Sequence, residues 1–199
     1  ERYVVQLHTG VDTRYRARQR TLPDLAATIV EWLQGVTGNC IVYFPSYHYM
    51  QTIIDLVRSR SLHRHVMVQQ RESNERTREH IVDTLKVRDD VVAFCILGGV
   101  FGEGIDLPGD ALRSVVIVGV GLPQFNRSTQ TLSDYYQQRY GRGFEYAYQY
   151  PGMQKVSQAL GRVIRADSDT GSALLIDSRY RDNSYRLLLP NCWDYSFSD

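Results

Sequence analysis

Residues 40–57 read CIVYFPSYHYMQTIIDLV, and their order decides the fold. Cys40–Phe44 is an apolar, β-branched run without polar alternation, the mark of a strand buried on both faces. Pro45 ends it, and Ser46 opens a helix over 46–57 as an N-cap whose side-chain oxygen takes a free backbone N–H. A buried strand feeding a helix is half of a parallel βαβ unit. Runs of the same kind recur at 65–68 (HVMV), 91–97 (VVAFCIL), 115–120 (VVIVGV) and 173–177 (ALLID). Helices are predicted between them at 22–33, with Leu25, Ile29, Trp32 and Leu33 on one stripe, and at 73–86. Strands alternating with helices imply right-handed crossovers in an α/β domain of three layers with a mainly parallel sheet.

One region breaks the pattern. Residues 124–150 hold Tyr135, Tyr136, Tyr140, Tyr146, Tyr148 and Tyr150 with Gly141 and Gly143, and read as a small helical insertion of two short helices joined at the glycines. Its tyrosines are expected to form a half-buried cover over the sheet edge; a base-stacking surface is the alternative. No internal repeat or low-complexity tract occurs.

Composition narrows the class. Hydrophobic residues make up 43% and charged residues 23% of 199 residues, which fits a globular domain and argues against disorder. The net charge of +1 decides nothing about nucleic acid. The basic residues are nearly all arginine, Lys86 and Lys155 being the only lysines. Arginine suits planar contact with phosphate or carboxylate, although composition bias gives the same picture. Cys40, Cys95 and Cys192 are too far apart for a disulfide framework or a zinc or iron–sulfur site of their own, and Cys40 and Cys95 read as small buried hydrophobes. His63 and His65 flank Arg64 without a third ligand, so a metal is not expected there. No run approaches the ~20 apolar residues of a membrane span, and no signal peptide opens the chain. The reducing cytoplasm is the expected compartment. The chain starts at Glu1 without Met and reads as a portion of a longer protein.

In open α/β sheets ligands bind beyond the carboxyl ends of the strands, here after Phe44, Leu97, Val120 and Asp177. Ser46 and Tyr47 begin a helix there, and a helix N-terminus favours phosphate. After Leu97 comes GGVFGEGIDLPG (98–109), in which glycines permit close backbone approach and Glu103 and Asp106 stand in an otherwise apolar turn. It is neither a Walker A loop nor a dinucleotide fingerprint. QALGRVIR (158–165) puts Gln158, Arg162 and Arg165 at i, i+4 and i+7, about one helix face. Such a face is commonly solvated, but on the ligand edge its guanidinium forks would suit a γ-phosphate and Gln158 an attacking water. Arg14, Arg16, Arg18 and Arg20 alternate beside Tyr15 and read as a solvated, partly paired segment, with phosphate contact as the alternative.

Taken together, PSY (45–47), GVFGEGIDLPG (99–109) and QALGRVIRADSDTGSALLIDSRY (158–180) resemble, in order and separation, motifs IV, V and VI of the XPD/DinG branch of superfamily-2 helicases. TRYRAR (13–18) resembles the lead-in to that domain, and the likeness covers roughly residues 10–193. The resemblance implies the second RecA-like motor domain, of the P-loop NTPase type, over residues 1–199 of an ATP-dependent 5′→3′ DNA helicase. By position it implies that Arg165 is the arginine finger, Arg162 a second γ-phosphate contact, and Gln158 a contact to phosphate or water. Glu103, Gly104 and Asp106 would serve the nucleotide and its coupling to DNA. Ser46, Tyr47 and the glycine-loop backbone around Gly99 and Phe101 would lie toward single-stranded DNA.

In that family the Walker A lysine, the DEAH box, the arch and the four-cysteine iron–sulfur insertion belong to the first motor half. ATP and Mg2+ would bind mainly there, this domain supplying one wall, and the resemblance leaves open an iron–sulfur cluster in the longer protein. The implied partners are single-stranded DNA and the first RecA-like domain, with no membrane. The isolated 199 residues are expected to be inactive in ATP hydrolysis. The competing reading is a non-catalytic RecA-like module that binds nucleic acid or protein; a nuclease relative would need a further acidic domain.

Overall fold

The computed structural model describes residues 3–60, 62–72, 75–99, 107, 111–163, 171–191 and 193–198. Seven strands form one sheet: β1 (Tyr3–His8), β2 (Cys40–Phe44), β3 (His65–Val68), β4 (Val91–Ile96), β5 (Ser114–Val118), β6 (Gly171–Ile176) and β7 (Tyr195–Ser198). Their order is β3-β4-β2-β5-β6-β1-β7, and every pairing is parallel. All five predicted strands are present, within a few residues of their expected ends. β1 and β7 are additions, and both lie at the far side of the sheet.

The apolar runs alternate between two cores. Ile41, Tyr43, Ala93, Cys95, Val115 and Ile117 face α3 (Glu75–Val87) and α5 (Tyr150–Leu160), which contribute Ile81, Leu85, Met153 and Val156. Cys40, Val42, Phe44, Val92, Phe94, Val116 and Val118 face α1 (Arg18–Gly35) and α2 (Tyr47–Arg58). β2, β4 and β5 are thereby buried on both faces, which is why their sequences lack polar alternation. Each large aliphatic or aromatic side chain buried in this way contributes about 1.5–3 kcal/mol. The result is the three-layer α/β architecture expected.

Three local readings change. α1 begins at Arg18 rather than Leu22, with the Thr21 hydroxyl donating to the Asp12 carbonyl at 3.0 Å and drawing the preceding loop onto it. The first helix of the insertion stays out of the core. α4 (Arg127–Tyr140) has no buried residue and ends at Gly141 in the left-handed region (φ 68°). It packs instead on a π-helical segment, Glu145–Gln149, that runs straight into α5. Tyrosines make that contact: Tyr136 stacks on Tyr146 with ring centroids 4.9 Å apart, and Tyr140 lies 5.6 Å from Tyr146. Lastly, the QALGRVIR helix stops early. α5 ends at Leu160 and is capped by Gly161. The N–H groups of Arg162 and Val163 turn back to the carbonyls of Ala159 and Leu160 at 3.2 and 3.1 Å. Arg162 therefore lies past the end of α5, in the turn that follows it.

Candidate functional site

Two polar depressions adjoin along the carboxyl ends of the strands and share Pro45, Ser46 and Gln124. Their volumes are about 510 and 500 Å3, within the range of small-molecule sites.

The first is organised by Gln69, 3% exposed, where β3 ends. Its Oε1 accepts the N–H of Ile96 at 2.8 Å, and its Nε2 donates to the Tyr47 hydroxyl at 2.9 Å. Tyr47 follows Ser46, whose Oγ accepts the N–H of Tyr49 as the N-cap of α2, 3.4 Å away. Gly99 closes the turn after β4, its N–H donating to the Ile96 carbonyl at 3.3 Å. Ser46, Tyr47 and Gly99 thus meet around one buried amide. Gln69 and Arg71, which line the same depression, had no part in the sequence reading. The signal available was a polar QQR (69–71) directly after an apolar strand.

The second depression joins segments far apart in sequence. Asp177, fully buried just after β6, accepts hydrogen bonds from the backbone N–H and Nε of Arg179, each at 2.8 Å. Its other oxygen takes Arg179 Nη2 at 2.8 Å and the Thr13 hydroxyl. This ties the TRYRAR lead-in to the DSRY turn. Burial presses the Arg179 guanidinium toward neutrality, but the Asp177 bonds and charge outweigh it and hold its pKa above the ordinary value. Tyr180 is buried and donates to the Gly119 carbonyl at 3.1 Å, fixing the loop that follows β5. Gly119 and Gly121 both have positive φ, at 89° and 64°. A Cβ on Gly121 would stand 2.5 Å from the Gly152 carbonyl, so only glycine lets this loop meet the start of α5.

Arg18 lines this depression. Its Nε donates to the Thr13 carbonyl at 2.9 Å, and its guanidinium lies 4.4 Å from the Tyr49 ring centroid. Among the described residues no carboxylate forms a salt bridge with it, and burial draws its pKa below the ordinary arginine value. Arg14 pairs instead with Asp12 at 2.9 Å. The segment expected to be solvated therefore has one arginine folded into the site, and the geometry suits an anion bound beside Arg18 and the N-terminus of α2.

Gln158 and Arg162 lie elsewhere. α5 starts against Val120 and Gly121 at the carboxyl end of β5, and the turn after it packs Val163 against Gly171, the first residue of β6. Gln158 is exposed on α5, and the backbone of Arg162 lies in the turn beside the start of β6. The Arg162 charge still reaches Tyr43, where it opposes the upward shift that burial imposes on that phenol. Arg165, Glu103, Gly104, Asp106 and Phe101 lie outside the described residues. Cys40 and Cys95 project to opposite faces of the sheet. Burial pushes the Cys40 thiol up to about 12 and raises that of Cys95 as well, so neither is a ready thiolate ligand. Among the described residues no group of three His, Cys, Asp or Glu side chains could hold a metal ion, and no helix is long and apolar enough to cross a membrane.

Comparison with known proteins follows the same lines. A family model described as the helicase C-terminal domain matches residues 29–196. The chain is 30% identical over 165 residues to the ATP-dependent DNA helicase DinG of Photobacterium profundum, covering 81% of this chain and 23% of that protein. It is 27% identical over 204 residues to the regulator of telomere elongation helicase 1 homolog of Drosophila yakuba, covering 92% of this chain and 21% of that one. The chain thus spans about a fifth to a quarter of the length of these relatives. Among solved structures, an XPD helicase superposes with a TM-score of 0.77 at 23% identity, covering 98% of this chain and 35% of that one. Domain 2 of the DEAD-box helicase Mss116p, bound to an RNA duplex, superposes at 0.57 with 12% identity, covering all of this chain and 64% of that one. Both share the fold.

Proposed function

From a chain that belongs to the helicase C-terminal domain family, we propose the second RecA-like motor domain, over residues 1–199, of an ATP-dependent DNA helicase that moves 5′→3′ on single-stranded DNA. The observation that carries this reading is the family match across residues 29–196, which takes in all three motif segments. In this reading ATP and Mg2+ are held mainly by the first motor domain and meet one wall of this one. Arg165 is the arginine finger, Arg162 a second γ-phosphate contact, and Gln158 orients phosphate or water. Glu103, Gly104 and Asp106 couple the nucleotide to the strand, and Ser46, Tyr47, Gly99 and Phe101 face the strand.

Two features support a division of labour. The residues assigned to the strand that are described gather around Gln69 on the carboxyl edge. Arg162 follows the carboxyl end of α5, a separate segment of the chain from Ser46 and Tyr47, which suits a second ligand contact. ATP closes the cleft between the motor domains and engages the arginines; hydrolysis releases them, and the changing grip on phosphates becomes stepping. An arginine stabilising γ-phosphate charge in the transition state is worth roughly 10³–10⁵ in rate. Strand contacts made to the backbone are salt-dependent and nearly indifferent to sequence.

The test uses the intact protein and duplexes carrying a single-stranded tail on either the 5′ or the 3′ side. ATP-dependent displacement from the 5′-tailed duplex is expected. Displacement only from the 3′-tailed duplex would reverse the polarity, and none from either would remove the helicase reading.

A further inference from the structure

At the rim of the Arg18 depression stands a large apolar side chain that the motif reading does not use. Phe125 lines the depression and is 79% exposed. Its backbone is fixed, because the next residue, Asn126, caps α4 with its side chain while the Thr129 hydroxyl bonds back to the Asn126 N–H and the Gln124 carbonyl. A residue in that place ordinarily packs against the fourth residue of the helix, but that residue is Gln130. The Phe125 ring stacks on Tyr148 instead, with centroids 6.0 Å apart and planes 12° from parallel. Tyr148 in turn stacks on Phe144 at 5.7 Å and 24°. One face of Phe125 is thus backed by a buried ring, and its high exposure leaves the other face open to solvent.

We propose that Phe125 is a stacking platform for a base of single-stranded nucleic acid whose phosphates lie along Arg18, Arg14 and the N-terminus of α2. The proposal rests on the nucleic-acid reading given above. It is carried by the three-ring stack opening onto a depression that also holds guanidinium groups and an exposed Tyr15, 85% accessible. Rings supply the base contact and arginines the phosphate contact, the pairing that single-strand grooves use without regard to sequence. Arg18 forms no carboxylate salt bridge among the described residues, which leaves its charge available to a phosphate.

The test compares intact wild-type protein with Phe125→Ala, Phe125→Leu and Phe125→Trp, using fluorescence anisotropy with an oligothymidine strand and with the same strand made abasic. A strand carrying 2-aminopurine reports stacking by quenching. Phe125→Ala is expected to weaken oligothymidine binding by roughly 5- to 100-fold, the range for one lost base stack. Phe125→Leu should lose most of that factor and Phe125→Trp retain binding. The abasic strand should bind wild type and Phe125→Ala alike, and the 2-aminopurine quenching should disappear in Phe125→Ala. The salt dependence should stay that of wild type, because the phosphate contacts remain. If Phe125→Ala binds oligothymidine as wild type does and quenches 2-aminopurine equally, the platform is overturned while the helicase reading stands. If wild type binds neither strand, the nucleic-acid reading fails first and takes the platform with it.

Discussion

The two ends of the sheet each hold a buried polar side chain that gathers distant segments, yet they are built for different ends. At the amino end, Asn39 is 1% exposed. The two N–H groups of its amide are shared among the carbonyls of Leu85, Arg88 and Ala111, with N···O distances of 2.8, 2.6 and 2.9 Å, and its Oδ1 accepts the N–H of Val91 at 2.8 Å. Every partner is main chain, so the cluster is complete within the fold. At the carboxyl end, Asp177 is equally buried, but its partners are the side chains of Thr13 and Arg179 and the Arg179 N–H. Around it, Arg18 and Arg14 line an open depression. A hub satisfied by backbone alone joins segments. A hub that ends in side-chain cations leaves charge beside an open depression.

Substitutions at the two hubs should separate these roles. Asn39→Ala leaves several buried backbone groups without partners, each costing about 1–3 kcal/mol. We expect the domain to lose roughly 3 kcal/mol or more, seen as faster hydrogen exchange in β4 and in the loop before β5, with the salt dependence of single-strand binding unchanged. Asp177→Asn strands a half-buried Arg179 charge and should cost about 3 kcal/mol. Here the salt dependence of single-strand binding should change too, because Arg179 and the Thr13 segment line the depression. If both variants altered stability and left binding untouched, the contrast between the ends would collapse.

The smallest effect concerns the exposed pair beside the second hub. Burial is the largest single influence on the Asp12 carboxyl and raises its pKa, but the Arg14 bonds and the Arg14 and Arg179 charges together outweigh it and hold the pKa below the ordinary carboxylate value. A depressed carboxylate adds stability above its unfolded pKa of about 4 and loses it as pH falls through the folded value. Arg14→Gln should therefore cost under about 1 kcal/mol at pH 5–8, and the difference from wild type should shrink as pH falls below about 4. A difference that grew on acidification would contradict the pairing.

The same contrast explains what the sequence revealed. β2, β4 and β5 were legible because strands covered on both faces are apolar at every position. β1 and β7 were missed because they stand near the open side of the sheet, where Val4 is 45% and Phe197 54% exposed and polar residues interrupt the run. The cap at Ser46 was legible from its neighbours, since capping is local. The π-helical segment was not, because its tyrosines are explained by rings on α4. The Thr13–Asp177 bond spans 164 residues, a distance no spacing rule covers, although the family likeness had singled out both segments. The end of the QALGRVIR helix was not legible, because α5 stops at Leu160 and Gly161 is its C-cap.

In the proposed mechanism this domain brings an arginine to a nucleotide held by another. The most direct measurement is ATP turnover by the intact protein, with saturating single-stranded DNA, in wild type and Arg165→Ala, alongside ATP affinity. The expected result is a fall in kcat of about 10³-fold or more with affinity nearly unchanged. A kcat that survived within about tenfold would contradict it.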